Sequence, residues 1–132
     1  MSAFFDTNIL VYAQQVGTKA AIAQGLVDQG GTISAQVLNE LANVLHNKLG
    51  RSWLEIEALF DDIESVLTPP MPLTSKTSHA ALELARDHNF AFYDALIIAA
   101  AIEAGCDTLY SEDLQHGRSI DGLKIVNPFL GS

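Results

Sequence analysis

Basic residues are scarce in this chain. Seven Lys and Arg stand against 16 Asp and Glu, for a formal charge of −9 over 132 residues, and the bases form no run. Such a surface repels phosphate, so nonspecific nucleic-acid binding is disfavoured unless bound cations do the electrostatic work. Long apolar runs are missing too. The longest, Ala95–Ile102, suits a buried helix and falls well short of the ~18 residues of a membrane span, so no membrane partner is expected. Cys106 is the single cysteine, which rules out a disulfide framework, and its place between Gly105 and an apolar run reads as an inert buried thiol. The opening Met1-Ser2-Ala3-Phe4-Phe5 lacks the basic region of a signal peptide. These absences describe a cytoplasmic protein. Charged residues, at 17%, are fewer than the roughly 25% of an average soluble chain, while 48% is hydrophobic, so disorder is not expected. Residues 1–132 read as one domain around one core, without repeat or linker.

What is present alternates between strand and helix. Ser2–Asp6 reads as a short buried strand ending in an acid, and Thr7-Asn8 offers turn or N-cap chemistry before Ile9-Leu10-Val11-Tyr12. A helix is expected over Thr18–Gln29, stopped by Gly30-Gly31, and a short strand at Thr32-Ile33-Ser34. Over Ala35–Leu49 the periodicity is clear. Val37, Leu38, Leu41, Val44, Leu45 and Leu49 form an apolar stripe, with Gln36, Asn39, Asn43 and Asn47 outside it and Glu40 near its border. Ser52 and Glu55 make an S-x-x-E capping box that opens a helix to about Leu67. The prolines of Thr68–Pro72 end it, and an edge strand fits Met71–Leu73. Thr74 or Ser75 caps a helix to about His88. The helix from about Tyr93 to Ile102 is apolar nearly all round and so should be central. Asp107–Tyr110 and Lys124–Val126 read as the last strands. This order predicts an α/β fold in three layers, a parallel sheet of about four to five strands flanked by helices.

In open parallel sheets, ligands bind beyond the carboxyl ends of the strands. Asp6 ends the first predicted strand, and Asp113 follows the Asp107–Tyr110 strand by three residues. Glu40 and Asp94 sit in the first or second turn of helices that begin where a preceding segment reaches that same end. One sheet edge then carries all four acids. Two unit charges ~5 Å apart repel by roughly 3 kcal/mol at an effective dielectric of 20. A cluster of four therefore needs protons or a cation. Oxygen ligands without Cys or His suit Mg2+ or Mn2+ better than zinc. A hard cation would also bind the phosphate that the bare protein repels, and would activate a water for in-line attack. Each acid also has a plainer reading. Asp6 can terminate a strand, Glu40 can be solvated, Asp94 can favour a helix dipole and Asp113 can cap a turn.

At these residues the chain resembles the PIN-domain nucleases, and among them the VapC-type toxins of bacterial toxin–antitoxin pairs. The matching segments are Phe5-Asp6-Thr7-Asn8-Ile9-Leu10-Val11-Tyr12, Leu38-Asn39-Glu40-Leu41, Tyr93-Asp94-Ala95-Leu96-Ile97 and Leu109-Tyr110-Ser111-Glu112-Asp113-Leu114. The resemblance implies a ribonuclease in which Asp6, Glu40, Asp94 and Asp113 hold Mg2+ or Mn2+ and activate water. It further implies that Thr7, Asn8 and Ser111 orient those acids, that the protein is a homodimer, and that a VapB-like antitoxin covers the groove. Glu112 adjoins Asp113 and either can face the metal. Asp113 is favoured, because the family's acid follows a Ser or Thr by two positions.

His116, Arg118, Lys48 and Arg51 are candidate RNA contacts, against the alternatives of a solvated loop for the first two and helix-end cations for the others. Trp53 with Leu54 fits either an exposed groove for a partner helix or core packing. His46, His79 and His88 lack ligand spacing and read as structural. A haloacid-dehalogenase-type phosphohydrolase needs a second Asp where Asn8 stands. A phosphoacceptor receiver domain needs a Lys at the end of its last strand, whereas Lys124 begins it. A stand-alone RNA-processing nuclease of the same family shares the chemistry, and a catalytically idle interaction module would have no need of the full acid set.

Overall fold

The computed structural model describes residues 2–131. Met1 and Ser132 lie outside them, and with them the two ends of the expected 1–132 unit. Ala3–Phe5 forms β1, with Phe4 and Phe5 both fully buried, as a strand covered on both faces requires. The chain then turns into α1, Thr7–Ala13. The N-cap is Asp6 rather than the expected Thr7 or Asn8. Its backbone is extended and its carboxylate accepts from the Thr7 amide, so the first acid is a helix cap as well as a strand terminus.

Helix α2 spans Thr18–Asp28 and packs on α1. In α3, Ala35–Asn47, the buried face is Val37, Leu41 and Leu45, the i, i+4, i+8 row of the predicted stripe. The stripe stops there, because the helix ends before Leu49, which is exposed. Gln36, expected outside the stripe, is buried. The Ser52–Glu55 capping box forms in full and opens α4, Trp53–Val66. Thr74 caps α5, Ser75–His88, which ends on Asn89 in the left-handed conformation. In α6, Phe92–Glu103, every residue from Ala95 to Ala101 is buried, as an all-round apolar helix demands. Helix α5 packs along it.

The remaining strands are β2, Thr108–Tyr110, β3, Ser119–Ile120, and β4, Leu123–Val126. The sheet order is β1-β2-β4-β3. Strands β1, β2 and β4 are parallel, in the register Phe5 to Tyr110 to Val126, and β3 is antiparallel to β4. Strand β3 was not anticipated. Its signal is the Asp121-Gly122 pair, whose φ values of 50° and 84° make a two-residue hairpin turn. On the opposite edge, the strands expected at Thr32–Ser34 and Met71–Leu73 shrink to single parallel bridges, Phe4 to Thr32 and Ser34 to Met71. Gly31 permits the first of these, since a Cβ there would stand 2.6 Å from the Phe5 ring. The result is the predicted α/β architecture, a largely parallel sheet flanked by six helices, with β1 and β2 ending side by side.

Candidate active site

Parallel pairing of β1 and β2 delivers Asp6 and Ser111 to neighbouring positions, because each is the first residue beyond its strand. The Asp6 amide donates to the Tyr110 carbonyl at 3.0 Å. The Ser111 hydroxyl donates to Asp6 Oδ2 at 2.8 Å, and the Thr7 amide donates to Oδ1 at 2.7 Å. Both oxygens of this buried carboxylate are thus held. Thr7 also donates through its hydroxyl to Glu40 Oε1 at 2.7 Å, fixing the acid in the second turn of α3. Asn8, the next residue of α1, donates from Nδ2 to Asp113 Oδ2 at 3.0 Å and accepts the Glu112 amide on Oδ1 at 3.2 Å. One helical turn therefore orients three acids, its own cap Asp6 and two from elsewhere in the chain.

Asp94 comes from the first turn of α6, where the helix dipole favours a negative charge. Among the described residues it has no hydrogen-bond partner, and its carboxylate is half-buried. The helix that carries it is tied to α3 by Gln36, whose Nε2 donates to the Tyr93 carbonyl at 3.1 Å. Gln36 lies one turn before Glu40, so this link sets the spacing between Glu40 and Asp94. The sequence reading missed it. The available signal was the i, i+4 spacing of Gln36 and Glu40, which places both on one face.

Asp6, Glu40, Asp94 and Asp113 line one cleft of about 560 Å³, with Tyr12, Asn43, Tyr93 and Lys48 among the other walls. Their electrostatics record the crowding. Burial first, then repulsion from Glu40 and Asp113, raises the pKa of Asp6 from the usual 3.8 to about 6, against the opposing pull of its hydrogen bonds. Asp94 is raised as well, by burial and then by Asp113 and Glu40. Glu112 goes the other way. Hydrogen bonds from Lys19 and Tyr12 lower its pKa, and it does not line the cleft. Of the two adjacent acids, Asp113 is the one at the cleft.

This donor set fits a hard divalent cation. It is all carboxylate oxygen, mutually repelling, in a cleft where Lys48 is the one basic wall residue among those described. Among the described residues no three acid, His or Cys side chains stand close enough to enclose an ion as they are, so binding would draw the carboxylates inward.

Of the four candidate RNA contacts, Lys48 lines the cleft. Arg118 lies over the Phe90 ring, 4.2 Å from its centroid, and donates to the His88 carbonyl at 2.8 Å. His116 accepts the Asn127 amide, and Arg51 donates to the Gln14 carbonyl. These three are engaged in holding loops. Trp53 is 62% exposed and Leu54 77% exposed, so neither packs in the core, and the Trp53 ring stacks on His46. Cys106 is buried, as expected.

The fold has relatives. The chain superposes on a toxin–antitoxin complex from Klebsiella pneumoniae with a TM-score of 0.73 at 19% identity, covering 97% of this chain and 98% of that one. VapBC2 from Rickettsia felis, bound to a DNA fragment from its promoter, gives a TM-score of 0.68 at 22% identity, covering 95% and 97%. VapC20 from Mycobacterium tuberculosis, described as a sarcin–ricin-loop-cleaving toxin, gives 0.69 at 21% identity, covering 85% and 92%. No curated protein sequence matches the chain. The PIN domain family profile matches residues 3–119, a span that holds all four cleft acids and every residue that orients them. The chain belongs to the PIN domain family.

Proposed function

We propose that this protein is a metal-dependent endoribonuclease, acting as the toxin of a toxin–antitoxin pair. The observation that carries the proposal is the convergence of Asp6, Glu40, Asp94 and Asp113 on one cleft, three of them oriented by consecutive residues of α1 or their caps. Asp6, Glu40, Asp94 and Asp113 would hold Mg2+ or Mn2+. When bound, the ion supplies neutralising charge for the scissile phosphate and a lowered pKa for the attacking water.

The chain's own residues divide the remaining work. Ser111 and the Thr7 amide fix both oxygens of Asp6, and the Thr7 hydroxyl fixes one oxygen of Glu40. Each of these acids is then presented in one orientation, which removes the entropy of searching for it. Asp94 is free of protein partners among the described residues, so both of its oxygens remain open to a ligand or a water. It is therefore the acid suited to orient water. Lys48 offers a cation to a flanking phosphate along the cleft. The toxin–antitoxin complex from Klebsiella and the RNA-cleaving toxin from Mycobacterium, both of the same fold, support a cognate VapB-like antitoxin as partner and RNA as substrate. A homodimer is the expected assembly.

The test is cleavage of RNA by the purified chain, free of any partner, with Mg2+ or Mn2+. Cleavage should stop in EDTA and in Asp6→Ala and Asp94→Ala. Persistence in any of the three would refute the metal-site account. Induced expression should arrest growth, and Asp6→Ala should relieve the arrest; unaffected growth with the wild-type chain would count against a toxin.

A further inference from the structure

Glu112 is an acid beside the cleft that the proposed chemistry does not use, and both oxygens of its carboxylate are held. The Tyr12 hydroxyl donates to its Oε1 at 2.7 Å and Lys19 Nζ donates to its Oε2 at 2.6 Å. Lys19 is itself seated over two rings, 5.1 Å from the centroid of Tyr12 and 5.7 Å from that of Phe129, which meet edge to face. A chain with seven bases has committed one of them, with an aromatic cradle, to a single surface carboxylate.

We propose that the Lys19–Glu112–Tyr12 clamp is a positioning device that presents Asp113 to the cleft and keeps Glu112 out of it. The inference rests on the metal-site reading given above. Asp113 is exposed and stands on the loop after β2. Two anchors hold that loop from within, the Ser111 hydroxyl accepting the Asp113 and Leu114 amides at 3.2 and 3.3 Å, and Asn8 gripping the Glu112 amide. Both anchors act on the backbone side facing the core. The clamp supplies the outer anchor, through the side chain of the residue next to Asp113. With Glu112 drawn towards α1 and α2, its neighbour's carboxylate is left with the Asn8 amide over the cleft. Without the clamp, two adjacent carboxylates compete for one place, and the loop can turn either inward.

Stability alone does not account for this construction. The Lys19 and Glu112 side chains are 44% and 25% exposed, and such pairs add about 1 kcal/mol or less to folding, with a contribution of similar size from Lys19 over its two rings. Residues that orient metal ligands, in contrast, typically change metal affinity by 10- to 100-fold.

The two partners also allow placement to be separated from charge. Removing Lys19 takes away a positive charge, which by field alone would tighten cation binding. Removing Glu112 takes away a negative charge, which by field alone would loosen it. Loss of the clamp loosens both. Mn2+ binding to the purified chain, followed by the loss of the free-ion paramagnetic resonance signal, should weaken about tenfold in Lys19→Met and in Glu112→Ala alike. The double variant should bind no more weakly than either single one, because the two act as a unit. Lys19→Arg, which keeps the charge and the donors, should return affinity to within about threefold of wild type. Amide hydrogen exchange at Glu112–Leu114 should quicken in Lys19→Met by more than the slowest core amides, which report the change in global stability. Opposite shifts in the two single variants, or unchanged affinity in both, would overturn the clamp and leave the metal site standing. A wild-type chain that binds no Mn2+ would overturn the metal reading itself. Exchange at Glu112–Leu114 left unchanged by Lys19→Met would overturn the clamp independently of any metal.

Discussion

Two acid-rich hollows lie in this molecule, and they differ in kind. The first is the cleft of Asp6, Glu40, Asp94 and Asp113. The second lies between α5, α6 and the Asp121-Gly122 turn, and is lined by Glu83, Asp87, Glu103 and Asp121 together with His88. Each contributes four carboxylates, so acid content does not separate them. In the second hollow all four acids are exposed, and two are satisfied locally. Asp87 pairs with the adjacent Arg86 at 2.7 Å, which lowers its pKa, and Glu103 accepts the Thr77 hydroxyl at 3.0 Å. In the first hollow, Asp6 is buried and hydrogen-bonded yet still raised to about 6, because desolvation and like charges outweigh its partners. Carboxylates held together against their own repulsion mark a site. Acids merely sharing a surface do not.

The largest test of that contrast is deletion. Asp6→Ala or Asp94→Ala should reduce the initial rate of Mn2+-dependent RNA cleavage by about a thousandfold, while Glu83→Ala and Asp87→Ala leave it within about twofold. Equal losses in both hollows would erase the distinction.

The orienting hydroxyls come next. Thr7→Val and Ser111→Ala should each cost about 10- to 100-fold in cleavage or Mn2+ affinity. Thr77→Val removes the corresponding hydroxyl beside the second hollow and part of the α5 capping box. It should lower stability by about 1 kcal/mol in urea titrations and leave the cleavage rate of folded protein unchanged.

The pH dependence of stability sharpens the comparison further. Folded Asp6 keeps its proton up to about pH 6, whereas its unfolded value is near 3.8. Unfolding between those values releases a proton, so raising the pH through that window favours the unfolded chain. The metal-free protein should therefore lose about 2–3 kcal/mol between pH 4 and 6 from this group, a loss that persists above pH 6. Asp6→Asn should flatten that slope and melt higher than wild type at pH 8 without metal, at the expense of activity. Added Mn2+ should recover the stability of the wild type and not of the variant.

The smallest effects concern cations. Lys48→Ala should raise the KM for RNA severalfold with kcat unchanged, measured by initial rates. Arg118→Ala should leave KM alone and destabilise the chain by about 1 kcal/mol, because its guanidinium lies on Phe90 and holds a helix-end carbonyl.

Most elements were legible because their signals are local. The Ser52–Glu55 box, the all-round apolar run of α6 and the Val37, Leu41, Leu45 row are each contained within a few turns of chain. Strand β3 was missed although Asp121-Gly122 announces a hairpin, since two residues of strand carry no periodicity of their own. The cap fell on Asp6 rather than on Thr7 or Asn8, which suit a turn or a cap by type. Their side chains proved to be committed to Glu40 and Asp113, more than thirty and a hundred residues away. The Arg118 contact to His88 was illegible for the same reason.

The sequence alone determined the kinds of element, their order and the identity of the acids that end near a strand or begin a helix, since propensity, capping and periodicity act over a few residues. Which acids converge was decided by the tertiary structure. Parallel pairing of β1 with β2 brings Ser111 to Asp6 across 105 positions, and only that packing separates Asp113, over the cleft, from Glu112, held by Lys19 and Tyr12. Adjacent acids are chemically near-equivalent along a chain. They become different only when long-range neighbours draw them apart, Lys19 and Tyr12 holding Glu112 away from the cleft and Asn8 holding Asp113 at it.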